Sequence, residues 1–193
     1  NMATVVDEAD FYARCRSASI LGTLQVGFNN LKYLDWVSHI VLRREALLGV
    51  SMTGMMVKPD ISFNPEALRN GAKIVNETNT EVAKLIGVRP SARTTLLKPE
   101  GTGTLALGGF VHGIGPSWAH RGFRRVTANP TEPVFQYFKK HNPHMCVEKP
   151  NGDWCIEFPF EVPDNTITKD EMNGIVFLEK IKLVQQNWVL PGT

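Results

Sequence analysis

Stretches with helical spacing of apolar residues alternate along this chain with short apolar runs, and this alternation most constrains its fold. The clearest helix has end signals at both sides: Asn64 as the cap, Pro65 in the first turn and Gly87 behind the last periodic residue. Residues 49–54 and 94–97 have the length and the β-branched, apolar composition of buried strands. Because helices and buried strands alternate, the sequence predicts an α/β fold.

The same patterns predict six further elements. They are helices over residues 7–27, 31–48 and 132–140, strands over residues 123–127 and 154–158, and a last helix that opens with a capping box at Thr168 and Glu171. No internal repeat, low-complexity tract or domain linker is evident. The length of 193 residues suits one ordinary domain or a piece of a larger one.

Composition excludes several classes of protein. The chain has 193 residues, with 21 Lys and Arg against 19 Asp and Glu, and this near balance argues against a strongly basic nucleic-acid surface. Its 3 cysteines form no CxxC pair, which argues against a disulfide framework or a zinc site. No run approaches the roughly 18 apolar residues of a membrane span. We therefore expect a cytoplasmic protein with no nucleic-acid or membrane partner.

The strongest indication of a ligand is a turn directly after the second predicted strand. It consists of Pro99, Glu100, Gly101, Thr102 and Gly103. Glycines let the backbone come close to an anion with its N–H groups free, and threonine hydroxyls add donors. The turn lacks the lysine of a Walker loop. Phosphate binding and a plain strand-to-helix turn both remain open on this chemistry.

Other candidate groups have simpler explanations. His112 lies in a glycine-rich stretch that suits a loop packed closely against another segment. It could titrate near neutrality and serve as an acid, a base or a ligand, or it could be a solvated or hydrogen-bonded loop histidine. The basic group could contact phosphates or form the solvated face of a strand; it consists of His120, Arg121, Arg124 and Arg125. Cys15 and Cys155 are predicted to be small buried hydrophobes, and neither they nor Cys146 are predicted to be nucleophiles.

Several segments together resemble the adenosylcobalamin-dependent (class II) ribonucleotide reductases, especially the monomeric ribonucleoside-triphosphate type. They are residues 44–54 (REALLGVSMTG), 93–104 (RTTLLKPEGTGT), 112–114 with Pro116, 120–126 (HRGFRRV) and 155–159 (CIEFP). They occur in the order and at the spacing typical of that family. The resemblance covers nearly the whole chain.

The resemblance implies a ten-stranded α/β barrel, of which residues 1–193 supply the second half, cut at both ends. It also implies that residues 99–103 hold the phosphates of a ribonucleotide substrate. Glu100 is a departure, because relatives often carry Ser or Thr at this position. A carboxylate repels phosphate unless it points away, so only the backbone donor of Glu100 is carried over. A chain cut at both ends is expected to be poorly ordered without the preceding part of the barrel.

The family's chemistry depends on groups that this chain lacks. In relatives a thiyl radical on a finger-loop cysteine removes the 3′ hydrogen of the ribose, a glutamate acts as base, and a cysteine pair reduces the sugar. No cysteine here matches those positions, so no catalytic residue is assigned. Adenosylcobalamin is expected to bind mainly to the rest of the enzyme, and a thioredoxin-type reductant is an expected partner. The alternatives are a non-catalytic nucleotide-binding module and an unrelated α/β phosphate-binding enzyme.

Overall fold

The computed structural model of the chain describes residues 1–100, 103 and 112–193. The chain divides into two compact units. One, the helical unit, consists of Asn1–Trp118 and Asn165–Thr193. The other, the sheet unit, consists of Ala119–Asp164.

Helices and a small sheet make up the described secondary structure. In chain order the elements are α1 (Glu8–Val26), α2 (Trp36–Glu45), α3 (Pro59–Ser62), α4 (Pro65–Ile86), β1 (Arg121–Ala128), α5 (Pro133–His141), β2 (Cys146–Glu148), β3 (Trp154–Glu161) and α6 (Gly174–Val184). Short 3-10 turns lie at Met2–Thr4, Met55–Val57, Pro143–Met145, Lys169–Glu171 and Leu190–Gly192, and a π-helical turn lies at Gln185–Val189. No helix in this part of the chain is long and apolar enough to cross a membrane.

The two long helices confirm the sequence-based predictions, including their ends. The Asp7 carboxylate accepts a hydrogen bond of 2.8 Å from the backbone N–H of Asp10 at the start of α1. At the start of α4, the Asn64 side chain accepts one of 3.0 Å from the N–H of Glu66. Gly87 ends α4 with φ of 74°, a left-handed conformation that favours glycine.

The second helix is shorter than predicted. Its apolar spacing extends beyond both ends, which are set by a cap residue at the start and by a change of backbone conformation at the end. It begins after Asp35, whose side chain accepts a hydrogen bond of 2.7 Å from the N–H of Trp36. It ends at Ala46, which has a positive φ of 45° and turns the chain out of the helix. No residue of α2 is buried. Trp36 is 68% exposed, and Phe28 in the preceding loop is 83% exposed.

The predicted start of the last helix is wrong. The N–H of Thr168 donates to Glu171 Oε2 at 2.8 Å as in a capping box, but this pair closes only a single 3-10 turn. Met172 then has an extended backbone, so α6 starts afresh with Asn173 as its cap. Its first turns are solvated, with Leu178 64% exposed, and only the end at Val184 is fully buried.

The core of the helical unit forms where α1 packs against α4. Gly71 of α4 has no side chain at the point where Phe11 of α1 and Trp188 approach, and a Cβ there would lie 2.8 Å from Phe11 Cε1. The rings of Phe11 and Trp188 are 6.2 Å apart between centroids. The π-helical turn that contains Trp188 is therefore held directly in the core.

Extended segments line the other side of this core. The predicted strands at residues 49–54 and 94–97 do pair in parallel, but only through one bridge between Val50 and Thr95. The N–H of Val50 donates to the Thr94 carbonyl at 2.9 Å, and the N–H of Leu96 donates to the Val50 carbonyl at 3.0 Å. A second parallel bridge joins Ser117 and Thr168. The α/β class is confirmed, whereas the described residues do not show the ten-stranded barrel.

The sheet unit is a three-stranded antiparallel sheet in the order β1-β3-β2, with α5 between β1 and β2 in the chain. Both predicted strands are confirmed and are slightly longer than expected, and the predicted short helix is confirmed with its bounds shifted by one residue. Exposure alternates along β1, as expected for a sheet with one solvated face. Phe135 of α5 packs against Trp154 of β3, with ring centroids 5.8 Å apart.

Candidate functional site

The extended segment that pairs with Val50 leads directly into the predicted phosphate loop. Pro99 is exposed, and Glu100 and Gly103 are partly buried. Gly101 and Thr102, the other two residues of that prediction, lie outside the described residues. The described part of the loop is therefore Pro99, Glu100 and Gly103, together with the segment that packs against it.

That segment is the glycine-rich stretch at His112, Gly113 and Ile114. Gly113 is so close to the loop that a Cβ on it would overlap the Lys98 carbonyl oxygen and lie 3.0 Å from the Glu100 nitrogen. The carbonyl of Gly113 accepts a hydrogen bond of 3.1 Å from the N–H of Met55, and Ile114 is buried in the core. The prediction that these glycines pack closely against another segment is confirmed for Gly113.

His112 contacts the loop through its side chain. Its Nδ1 atom lies 2.8 Å from the carbonyl oxygen of Glu100. A carbonyl oxygen can only accept, so Nδ1 is the donor. Of the interpretations given for His112, this contact supports the hydrogen-bonded loop histidine. No pattern in the sequence indicates that Glu100 is its partner.

The carboxylate of Glu100 folds back over the loop. A Cβ on Gly103 would lie 2.5 Å from Glu100 Oε1 and 3.2 Å from its carboxyl carbon. Glycine is therefore the residue that leaves room for this side chain. A negative charge consequently lies on the loop itself, and it repels an anion that binds there.

The strand before the loop is anchored by the last residues of the chain. The Thr95 hydroxyl donates to the Trp188 carbonyl at 2.7 Å, and the Trp188 indole N–H donates to the Leu96 carbonyl at 3.2 Å. The N–H of Thr94 donates to the Gly192 carbonyl at 2.8 Å. These bonds fix the two residues on either side of the parallel bridge, and so they fix where the loop begins.

Two members of the basic group, Arg121 and Arg125, form ion pairs within the sheet unit. Arg121 donates to Glu161 across the β1–β3 pair at 2.5 Å, and Arg125 donates to Glu157 at 2.7 Å. Each carboxylate raises the pKa of its guanidinium partner through the hydrogen bond. Arg124 lies on the opposite face of β1. These contacts favour the solvated strand face over a phosphate site.

The cysteines take the places expected of small hydrophobic side chains. Cys15 is buried in α1 and Cys155 in β3, as predicted, whereas Cys146 is half-buried. Burial raises the pKa of the Cys15 thiol to about 12, which keeps it protonated at neutral pH. Within residues 1–100, 103 and 112–193, no group of three or more His, Cys, Asp or Glu side chains is placed to hold a metal ion.

Two adjoining clefts lie away from the loop, between the C-terminal parts of α1 and α2. The larger has a volume of about 670 Å³ and a mainly aliphatic lining that includes Leu21, Val41 and Leu48. The smaller, of about 350 Å³, is lined by Arg43 and Arg89 among others. None of Pro99, Glu100 or Gly103 lines either cleft.

Comparison with known proteins gives one informative match. By sequence, no protein family and no curated protein matches the chain. By structure, it matches the crystal structure of a B12-dependent (class II) ribonucleotide reductase with a TM-score of 0.76 at 14% sequence identity. The chain has the fold of part of that reductase. The match covers 91% of this chain and 29% of the reductase chain, so the predicted likeness is confirmed for the fold of one part.

Proposed function

We propose that this chain is part of a class II ribonucleotide reductase and supplies the loop that binds the phosphates of the ribonucleotide substrate. The observation that carries the proposal is the structural match over 91% of the chain. Five sequence segments in the order typical of the same family support it independently. The whole enzyme would convert ribonucleotides to deoxyribonucleotides by radical chemistry.

In this proposal residues 99–103 bind phosphate through the backbone N–H groups that follow Pro99, which has none itself, with the Thr102 hydroxyl as a further donor. Two features of the described geometry support it. The loop follows a strand that is fixed on both sides, and the exposed Lys98 adds a positive charge next to it. A loop that is held in place before the ligand arrives loses less conformational entropy on binding.

The finer parts of the proposal follow from the resemblance. The substrate is a ribonucleoside triphosphate, as in the monomeric type of the family. The partners are the remaining part of the reductase, which would carry the radical cysteine, and a thioredoxin-type reductant. The reaction takes place in the cytoplasm.

Adenosylcobalamin, the cofactor implied for the family, does not fit the described part of this chain. The larger cleft is lined mainly by aliphatic side chains, and Glu45 is its only charged lining residue. It offers few of the polar groups that a large amide-bearing corrin requires. We therefore assign cofactor binding to the rest of the reductase and derive no step from it here.

A non-catalytic nucleotide-binding module is the second candidate, and the placement of the cysteines agrees with it as it does with an inactive part of the reductase. Two of the three are buried, and the pKa of Cys15 is raised by burial. Radical chemistry at a ribose needs a thiol held against the sugar, so the chain by itself would bind nucleotide without reducing it. Formation of deoxyCTP from CTP by the 193-residue chain would contradict both the module and the inactive-part proposal.

Binding of CTP to the assembled reductase, this chain together with the remaining part of the enzyme, tests the loop assignment. Replacing Gly101 with Val blocks the approach of a phosphate to the backbone, and each lost charge-assisted hydrogen bond costs about 1.5–3 kcal/mol. We expect the dissociation constant of CTP to rise at least about tenfold, with the melting temperature little changed. Gly174→Ala is the control, because a Cβ at Gly174 meets no atom within 4 Å. Equal affinity of wild type and a folded Gly101→Val variant would contradict the assignment.

A further inference from the structure

We propose that His112 is a positioning residue for the phosphate loop, and that it acts through the carbonyl of Glu100 without contacting the substrate. The inference rests on the proposed function of the loop and adds to it the group that orients the loop backbone. It is carried by the 2.8 Å contact between His112 Nδ1 and the Glu100 carbonyl oxygen.

The first step of the argument concerns the amide that follows Glu100. A trans amide is planar, and its C=O and N–H bonds point in opposite directions. The orientation of the Glu100 carbonyl therefore sets the direction of the next backbone N–H. If the amide turned over, a carbonyl oxygen would replace a donor on the side that binds the anion. The hydrogen bond from His112 opposes that rotation.

The second step concerns what holds His112 itself. The neighbouring Gly113 is packed against the backbone at Lys98 and Glu100, and its carbonyl accepts from the N–H of Met55 at 3.1 Å. Met55 and Ile114 belong to the hydrophobic core. The imidazole is thus attached to backbone that is fixed at Gly113 and Ile114, and the orientation that it gives to the Glu100 carbonyl is set before a ligand binds.

The third step separates positioning from folding. Gly113 and Ile114 are buried, whereas His112 is exposed. A change of the His112 side chain therefore opens no cavity and leaves the hydrophobic core intact. If such a change weakens ligand binding but leaves the melting temperature unchanged, the effect therefore arises in the loop and not in the stability of the fold.

The experiment compares three replacements of His112 in the assembled reductase, which consists of this chain and the remaining part of the enzyme. In His112→Asn, the side-chain amide nitrogen takes a place close to Nδ1 and can donate to the same carbonyl. In His112→Gln, the amide nitrogen lies one bond further out, near the place of Nε2. In His112→Leu, no donor remains. The dissociation constants of CTP and of inorganic triphosphate are measured for each, with melting temperatures as the control.

We expect both dissociation constants to rise about tenfold in His112→Leu and His112→Gln and to stay within about threefold of wild type in His112→Asn. The same ratios for CTP and inorganic triphosphate are expected, because the loop contacts only the phosphates. All melting temperatures should agree within a few degrees.

Three results would overturn the inference, and they are distinguishable. If wild type binds neither probe, the phosphate-loop function itself fails and the positioning role fails with it. If wild type binds and His112→Leu binds equally well, only the role of His112 fails. If His112→Asn is as weak as His112→Leu, or if CTP binding falls while triphosphate binding does not, His112 acts by another route than its Nδ1 donor.

Discussion

The hydroxyl group of Thr95 donates a hydrogen bond of 2.7 Å to the carbonyl oxygen of Trp188, and both side chains are buried. The two residues are far apart in sequence, and the bond attaches the π-helical turn to the strand that precedes the candidate loop. π-Helical turns are often found at functional sites, because the extra residue redirects the backbone. Here the turn brings a carbonyl oxygen to a buried hydroxyl that donates to it.

Replacing Thr95 with Val tests this contact. The change keeps the shape of the side chain but leaves the buried Trp188 carbonyl without its closest donor, which costs about 1–3 kcal/mol of unfolding free energy. Urea unfolding of the chain measures the loss. Thr80→Val is the matched control: its hydroxyl bonds the Asn76 carbonyl at 3.0 Å on an exposed helix surface, where we expect a change within about 0.5 kcal/mol. Equal losses in the two variants would contradict a special role for Thr95.

The carboxylate of Glu100 should weaken anion binding by the loop on which it lies. Removing its charge in Glu100→Gln should lower the dissociation constant of CTP about fivefold, since two unit charges about 4 Å apart in water interact by about 1 kcal/mol. Isothermal titration at low ionic strength measures the change. Glu179→Gln removes the same charge from the exposed surface of α6 and should leave the affinity unchanged. A weaker complex with Glu100→Gln would show that the carboxylate supports the loop.

Asp10 should contribute to the acid sensitivity of the helical unit. Its pKa is lowered, first by the hydrogen bond from Arg14 and then by the backbone N–H of Val6. Because the folded pKa lies below the ordinary value of 3.8, the stabilisation is complete above about pH 4 and is lost as the pH falls through the lowered pKa.

Melting temperatures of wild type and Asp10→Asn between about pH 2.5 and pH 7 test this expectation. The variant cannot titrate at this position, so its melting temperature should fall less steeply below about pH 4. Parallel curves for the two proteins throughout that range would be the contrary result.

Local signals explain which parts of the fold were predictable. The helix α4 was predicted completely, because Asn64, Pro65 and Gly87 lie at its two ends and act on the backbone there directly. The last helix was misplaced, because Thr168 and Glu171 form a genuine capping pair on a turn that does not continue. The early end of α2 follows from the left-handed backbone of Ala46, for which alanine gives no signal.

The candidate loop was predicted from the composition of residues 99–103, but its environment was not. Hydrogen bonding by His112 and close packing by Gly113 were each anticipated as general properties. Both residues act on the backbone around Glu100. This contact depends on the tertiary fold, which brings residues 112 and 113 back to the loop. Residue composition can indicate that a turn binds an anion, whereas the partner that orients it is known only from the fold.

The parallel bridge between Ser117 and Thr168 has a consequence for how such a chain can evolve. The chain leaves the helical unit after Trp118 and re-enters it at Asn165, each within a few residues of that bridge. The bridge is closed by two hydrogen bonds, from Ser117 N–H to the Ile167 carbonyl and from Lys169 N–H to the Ser117 carbonyl. Since both junctions are fixed by the helical unit itself, residues 119–164 can lengthen, shorten or be exchanged between lineages while the loop and its anchors stay in register.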